Sequence, residues 1–157
     1  MHLSASFVPM TILMAALSTA PVHAQAVSPT PCALRKQVYT CDKASFAAAL
    51  KQARTIAIET QPRDYAAPAQ LKELVASLGK TLAPDTADLT FRITRTESTG
   101  IYVGPAGAAL ATLSIYGQAP DGSRGSLVWL ETFIGQPDMR WPSIVHATIQ
   151  QFQENFK

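Results

Sequence analysis

The chain has 157 residues, enough for one domain with a substantial core and too few for two. Charged residues make up 15% and apolar residues 47%, which excludes a disordered or charge-rich solvated chain. Net charge is +2 and the 13 Lys and Arg are scattered without a basic run, which argues against nucleic acid as a partner.

The first two dozen residues differ from the rest. Phe7 to Leu17 is apolar and leads into Ser18-Thr-Ala-Pro-Val-His-Ala24. That pattern is the hydrophobic core and small-residue cleavage region of a secretory signal peptide, although its leading end carries His2 and no Lys or Arg. Val22 with Ala24 fits a cut before Gln25, and Ala24 with Ala26 fits one before Val27. The apolar run is shorter than the roughly 20 residues of a spanning helix, and no other segment is long and apolar enough to serve. The expectation is residues 1–24 as signal, 25–42 as an extended lead-in, and 43–157 as one domain. No transmembrane anchor is expected after signal removal, and the apolar run does not end in a lipid-acceptor cysteine.

Cys32 and Cys41 are the only cysteines. In an oxidising compartment so close a pair is most simply a disulfide, closing a loop worth about 2.5–3 kcal/mol by chain entropy. The spacing is not Cys-x-x-Cys and no histidine cluster supplies further ligands, so a redox or metal pair is the weaker reading.

Asp42 offers a side-chain cap for a helix from Lys43 to about Arg54, with Phe46, Ala49, Leu50 and Ala53 as its apolar stripe. Thr55-Ile-Ala-Ile-Glu59 alternates and predicts a strand. Pro68 suits the first position of a second helix, along which Leu71, Leu74, Val75 and Leu78 fall at i, i+3, i+4 and i+7. Gly79 is placed to stop it. From Asp88 to Thr96, Leu89, Phe91 and Ile93 alternate with Thr90, Arg92 and Thr94, a strand with one face buried and one wet. Ile101-Tyr-Val103 continues it or forms a short strand, and Gly104-Pro-Ala-Gly107 turns onward.

The chain is organised around Ala108 to Phe133, a hairpin whose two strands are joined by a polar turn from Gln118 to Gly125. Both faces of the return strand are largely apolar. It should therefore lie inside the sheet, or have helices on one face and something else over part of the other. Pro142 can start a last helix, with Val145, Ile149, Phe152 and Phe156 in one stripe. This order predicts an α+β two-layer sandwich: a mixed, mostly antiparallel sheet of about four to five strands with helices on one face.

Few groupings carry chemistry. His146 is the one histidine left after signal removal, about 100° off the last helix's apolar stripe, and is a poor candidate for a catalytic base. Gly122-Ser-Arg-Gly-Ser126 is not a nucleophile elbow, and Gly100, Gly104 and Gly107 match no dinucleotide or phosphate-loop spacing. No metal-ligand motif is present, so no catalytic residue, metal or cofactor is assigned. Carboxylate pairs can be drawn as Glu97 with Glu131 or Glu131 with Asp138, but spacing alone does not place them in one cleft. Glu131 shares a face with Trp129 and Phe133, where an unpaired charge is costly. Arg92 and Arg95 on a nearby strand offer a cross-strand ion pair, with a binding role as the rival. Aromatic residues Tyr102, Tyr116, Trp129, Phe133 and Trp141 gather in the C-terminal half. Trp129 reads as core, while Trp141 reads either as a cap on the core or as an exposed interface anchor. The candidate binding residues are Trp141, Tyr116, Arg92 and Glu131.

The run Ala87-Asp-Leu-Thr-Phe-Arg-Ile93, then Ala111-Thr-Leu-Ser-Ile-Tyr116, an Asp-Gly turn, Leu127-Val-Trp-Leu-Glu131 and a closing amphipathic helix resembles small bacterial envelope domains of unknown function, many of them lipoproteins. The resemblance spans about Thr55 to Phe156. It implies a Gram-negative periplasmic setting and no known reaction, and it carries over no functional residue. The expectation is a periplasmic, non-enzymatic domain that binds a protein or another envelope component, working through the wet sheet face or the loops around Trp141. The alternative is a small-molecule or lipid-binding module with a pocket between sheet and helices. A hydrolase using Glu131 is a distant third.

Overall fold

The computed structural model describes residues 28–97 and 108–156. The expected signal segment, the strand at 101–103 and the glycine turn at 104–107 lie outside the described residues. The elements in order are β1 (Ala33–Arg35), β2 (Val38–Thr40), α1 (Lys43–Gln52), β3 (Thr55–Glu59), α2 (Ala66–Ser77), β4 (Thr81–Leu82), β5 (Leu89–Glu97), β6 (Ala109–Gln118), β7 (Arg124–Ile134) and α3 (Trp141–Asn155). β1 and β2 form a separate ribbon, and the main sheet has the order β4-β3-β5-β6-β7. β3 runs parallel to both β4 and β5, while β5, β6 and β7 are antiparallel. The α+β architecture with a mixed, mostly antiparallel sheet follows the alternation read from the sequence.

Register decides which side chains share a face. Ile56 pairs with Leu89, Ile58 with Phe91, Phe91 with Ile115 and Leu113 with Glu131. These residues, with Ile93, Ala111 and Trp129, therefore point to one side, because side chains alternate along every strand. Ile56, Leu89, Phe91, Ile93, Leu113 and Ile115 are at most 2% exposed. Against them the helices bring Phe46 from α1, Leu71, Leu74 and Val75 from α2, and Ile144, Val145, Ile149 and Phe152 from α3.

Each helix is bounded by local chemistry. Asp42 caps α1 by accepting from the Ser45 backbone N–H at 3.0 Å, as expected, and α1 ends at Gln52 rather than Arg54. α2 begins at Ala66, so Pro68 is its third residue and not its first. The reason is Asp64, whose Oδ1 accepts from the Ala66 and Ala67 N–H groups, both at 3.1 Å, and so lets the helix start two residues earlier. Gly79 does stop α2, at φ +66°. α3 starts at Trp141 with Pro142 in its first turn. Gly135 lets the chain leave β7 close beneath α3, since a Cβ there would come within 2.5 Å of Ile144 Cδ1.

β7 lies at the sheet edge, not inside it. Its apolar character has a different origin. Trp129 stacks on Phe46 with centroids 5.3 Å apart and meets Phe156 edge-on at 4.8 Å. Phe46 also meets Phe152 and Phe156 edge-on, contacts worth about 0.5–1.5 kcal/mol each beyond their burial. A register shift between Ile115 and Tyr116 leaves Val128 unpaired between the Leu127 and Trp129 pairs, and Val128 is buried beside Gly117. The lead-in covers this end: Pro29 approaches Gly117, and the Cys32 N–H donates to the Leu127 carbonyl at 2.8 Å.

The Cys32–Cys41 disulfide is formed. It closes the base of the β1–β2 ribbon, an element not expected from the sequence.

Candidate functional site

Opposite the helices, the sheet presents a face of polar residues flanked by Leu110, Leu130 and Ile134. Its register pairs Ala57 with Thr90, Glu59 with Arg92, Arg92 with Ser114, and Thr112 with Thr132. Thr112 and Thr132 leave polar atoms outward, as β-branched hydroxyl residues in extended backbone can, whereas Thr90 and Ser114 are buried. Thr112 and Thr132 hydroxyls lie 3.3 Å apart across the strands. Among the described residues no helix packs on this side.

One charged group stands on it. Glu59, at the end of β3, is approached by Arg92 Nη1 at 3.7 Å and by Arg124 Nη1 at 2.5 Å, both at Oε2. The Arg124 guanidinium also lies 4.6 Å over the Tyr116 ring. The three charged side chains remain about a third or more exposed, at 34%, 32% and 41% in the order Glu59, Arg92, Arg124. A hollow of about 160 Å³ opens beside them, bordered by Ala57, Asp85, Thr90 and Ser123 as well as Glu59 and Arg124. The adjoining hairpin loop is held by Asp121, which accepts from the Ser123 hydroxyl at 2.6 Å and its N–H at 3.0 Å. Those two bonds hold the Asp121 carboxyl below its ordinary range.

Of the residues singled out in the sequence, Arg92 and Tyr116 share this face. Glu131 and Trp141 do not. Glu131 is 8% exposed on the helix side. Its Oε2 accepts from the Trp129 indole N–H at 3.2 Å and from the Asn155 amide at 3.0 Å, and its Oε1 accepts from the Gln151 amide. The expected ion pair with Arg92 or Arg95 is not made. Arg92 points to the opposite face and pairs with Glu59. Arg95 is on Glu131's side but reaches Glu97 at 3.5 Å and lies 5.6 Å over the Trp141 ring. Nor do Glu97 and Glu131 face one cleft. They pair with Ala109 and Leu113 of β6, four residues apart, which is about 13 Å along the strand. Glycosidase carboxyl pairs sit roughly 5–10 Å apart.

Trp141 begins α3 and is half-buried, packed against the core. Its indole N–H donates to Asp64 Oδ1 at 3.1 Å, the atom that caps α2. It therefore joins the first turns of two helices. Trp129 is partly buried in the aromatic cluster. His146 is exposed on α3, and the described residues contain no group of three or more His, Cys, Asp or Glu close enough to hold a metal.

Sequence reasoning missed three features. Glu59 and Arg124 are separated by 65 positions and meet only because β3 and β7 flank β5 and β6. A cleft of about 480 Å³ lies where α1 and the C-terminal ends of α2 and α3 meet, with Leu50, Leu78 and Phe156 in its lining and Lys43, Lys51 and Lys80 around it. The signal for both was parity and helix phase taken across several elements at once. The third is the β1–β2 ribbon.

No helix among the described residues is long and apolar enough to cross a membrane. No family model matches the chain, and no curated protein matches it. Among solved structures it is similar to a minor lipoprotein from Acinetobacter baumannii, with 14% identity and a TM-score of 0.43 over 64% of this chain and 90% of that one. It is also similar to a PelC dodecamer from Paraburkholderia phytofirmans, with 14% identity and a TM-score of 0.42 over 68% of this chain and 87% of that one. Neither likeness bears on function.

Proposed function

We propose that this chain is an exported, non-enzymatic domain of the cell envelope that holds a protein partner against the polar face of its sheet. The observation that carries the reading is the group on that face, in which two guanidiniums share the single carboxylate of Glu59 and one of them covers Tyr116. The hollow beside that group is bordered by Thr90, Ser123 and Asp85, so guanidiniums, hydroxyls and carboxylates together suit a partner that presents backbone carbonyls and N–H groups. The Cys32–Cys41 disulfide supports export, since such bonds persist in oxidising compartments.

Native mass spectrometry on the protein purified gently from its own envelope tests this. The expected result is a complex heavier than the bare chain by one protein, lost in Arg124→Ala while the melting temperature stays within about 2 °C, as befits an exposed ion pair. A complex that survives Arg124→Ala, or a bare monomer, contradicts the reading.

A second reading, small-molecule or lipid binding, is favoured by the cleft between the helices. Lys43 lies 5.6 Å over the Phe156 ring and Lys80 donates to the Lys51 carbonyl at 3.1 Å, so cations border an apolar floor. That arrangement suits an anionic amphiphile. The same spectra separate the readings, because this one expects a small-molecule adduct that survives Arg124→Ala and is lost in Lys51→Glu.

A further inference from the structure

We infer that the disulfide-closed β1–β2 ribbon is a docking element for a protein partner whose cleft has apolar walls and an acidic floor. This surface is distinct from the sheet face and from the cleft between the helices.

All six strand residues of the ribbon are exposed. Leu34, Val38 and Tyr39 are 59%, 64% and 47% exposed, and they make up half of the six exposed large hydrophobics among the described residues. Singly scattered apolar residues need no explanation, but three fall on one ten-residue protrusion, Leu34 and Tyr39 on one face and Val38 on the other. A two-stranded hairpin of this size is marginal in water. This one is held by the disulfide across its base and by one backbone bond from Cys32 to Leu127 of β7. Its turn puts Lys36 at φ 48° and Gln37 at φ 66°, left-handed conformations that non-glycine residues adopt at a cost. A stapled, strained ribbon without core contacts makes sense as a presented surface.

Its chemistry selects the partner. From Cys32 to Cys41 the only charges are Arg35 and Lys36, both at or beside the turn, and there is no acidic residue. Register places Leu34 opposite Tyr39 on one face and Arg35 opposite Val38 on the other. Apolar side chains thus lie on both faces, with cations at the leading end. A bilayer takes apolar groups deepest and leaves cations at the headgroups, the reverse of this order. A flat surface covers one face only, and the cleft a second copy offers between its helices is bordered by Lys43, Lys51 and Lys80, which repel Arg35 and Lys36. A protein cleft covers both walls and meets the cations at its floor.

The test places a photo-crosslinking residue at Leu34 or Val38, with Tyr65, 85% exposed, as the control position. Crosslinking is triggered in intact cells and the joined peptides are sequenced. Both ribbon positions should join one and the same envelope protein, at a segment containing Asp or Glu, and the Tyr65 position should not. Arg35→Glu with Lys36→Glu should cut the yield about tenfold or more without changing the melting temperature, and reversing the partner's acids should restore it. Thr132→Arg on the sheet face should retain the crosslink, so the two readings fail separately. The proposal is overturned by equal crosslinking from Tyr65, by crosslinks to a second copy, or by none. It is also overturned if the chain binds phosphatidylglycerol–phosphatidylethanolamine vesicles and the charge-reversed ribbon does not.

Discussion

Glu131 and Glu59 stand on opposite faces of one sheet, and their surroundings are built from opposite materials. Glu131 is buried and held only by neutral donors among the described residues: an indole from its own strand and two side-chain amides from α3. Glu59 is a third exposed and is held by two guanidiniums from β5 and β7. A buried carboxylate has lost its water, so each remaining donor matters. An exposed one exchanges protein partners for water at little cost. The helix side of this sheet should therefore be sensitive to single changes, and the polar side tolerant of them.

The contrast can be broken from either side. The largest effect is expected at Phe46, which is 1% exposed and touches Trp129, Phe152 and Phe156. Phe46→Ala should cost about 3–5 kcal/mol in denaturant unfolding. A loss near 1 kcal/mol would mean that α1 is not part of the cooperative core. Glu131→Ala leaves three donors facing an apolar gap and should cost about 2–3 kcal/mol, with Glu131→Gln recovering part of it. An unchanged midpoint would show that water replaces the carboxylate and that the site is open.

Asp88 falls between these extremes. Burial raises its pKa, but bonds from the Thr55 and Arg54 N–H groups, the Thr55 hydroxyl and the Arg54 charge outweigh that and hold it below 3.8. A depressed folded-state pKa gives stability that is present above the unfolded value and lost as pH falls through the folded one. Asp88→Asn should cost about 1–2 kcal/mol at pH 7, and the gap to the parent protein should close as the pH drops below about 4. A gap that widens on acidification would reverse the sign. The smallest effect belongs to Glu59→Ala, under about 1 kcal/mol and shrinking in salt.

Period and parity carried much of this fold. Leu71, Leu74, Val75 and Leu78 set the phase of α2, and Leu89, Phe91 and Ile93 gave β5 its buried face. Alternation also put Glu131 correctly beside Trp129 and Phe133. What it could not supply was the partner. Arg92 is on a nearby strand but has the opposite parity, so the sheet separates the two charges, and the donors to Glu131 come from α3, 20 and 24 positions away. Strand order was equally hidden, because an apolar return strand reads alike at an edge under aromatic rings and in a sheet interior. The β1–β2 ribbon has strands of three residues and a Lys-Gln turn lacking Gly or Asn, so no turn signal marked it. β4, with two residues, is too short to show a period.

The proposed sheet-face binding and the fold divide across the sheet, with the partner held on the polar face and the helix side holding the fold together, while the ribbon is a separate surface. Adjacent residues of β7 divide the two, since Glu131 points to the helices and Thr132 to the hydroxyl-lined face. The most direct measurement compares Glu131→Gln with Thr132→Arg by native mass spectrometry from the envelope, with melting curves alongside. The expected result is that Thr132→Arg loses the protein held on the sheet face, the one also lost in Arg124→Ala, at an unchanged melting temperature, and that Glu131→Gln melts lower yet keeps it. Retention by Thr132→Arg together with loss in Glu131→Gln would contradict it and move the binding site to the helix side.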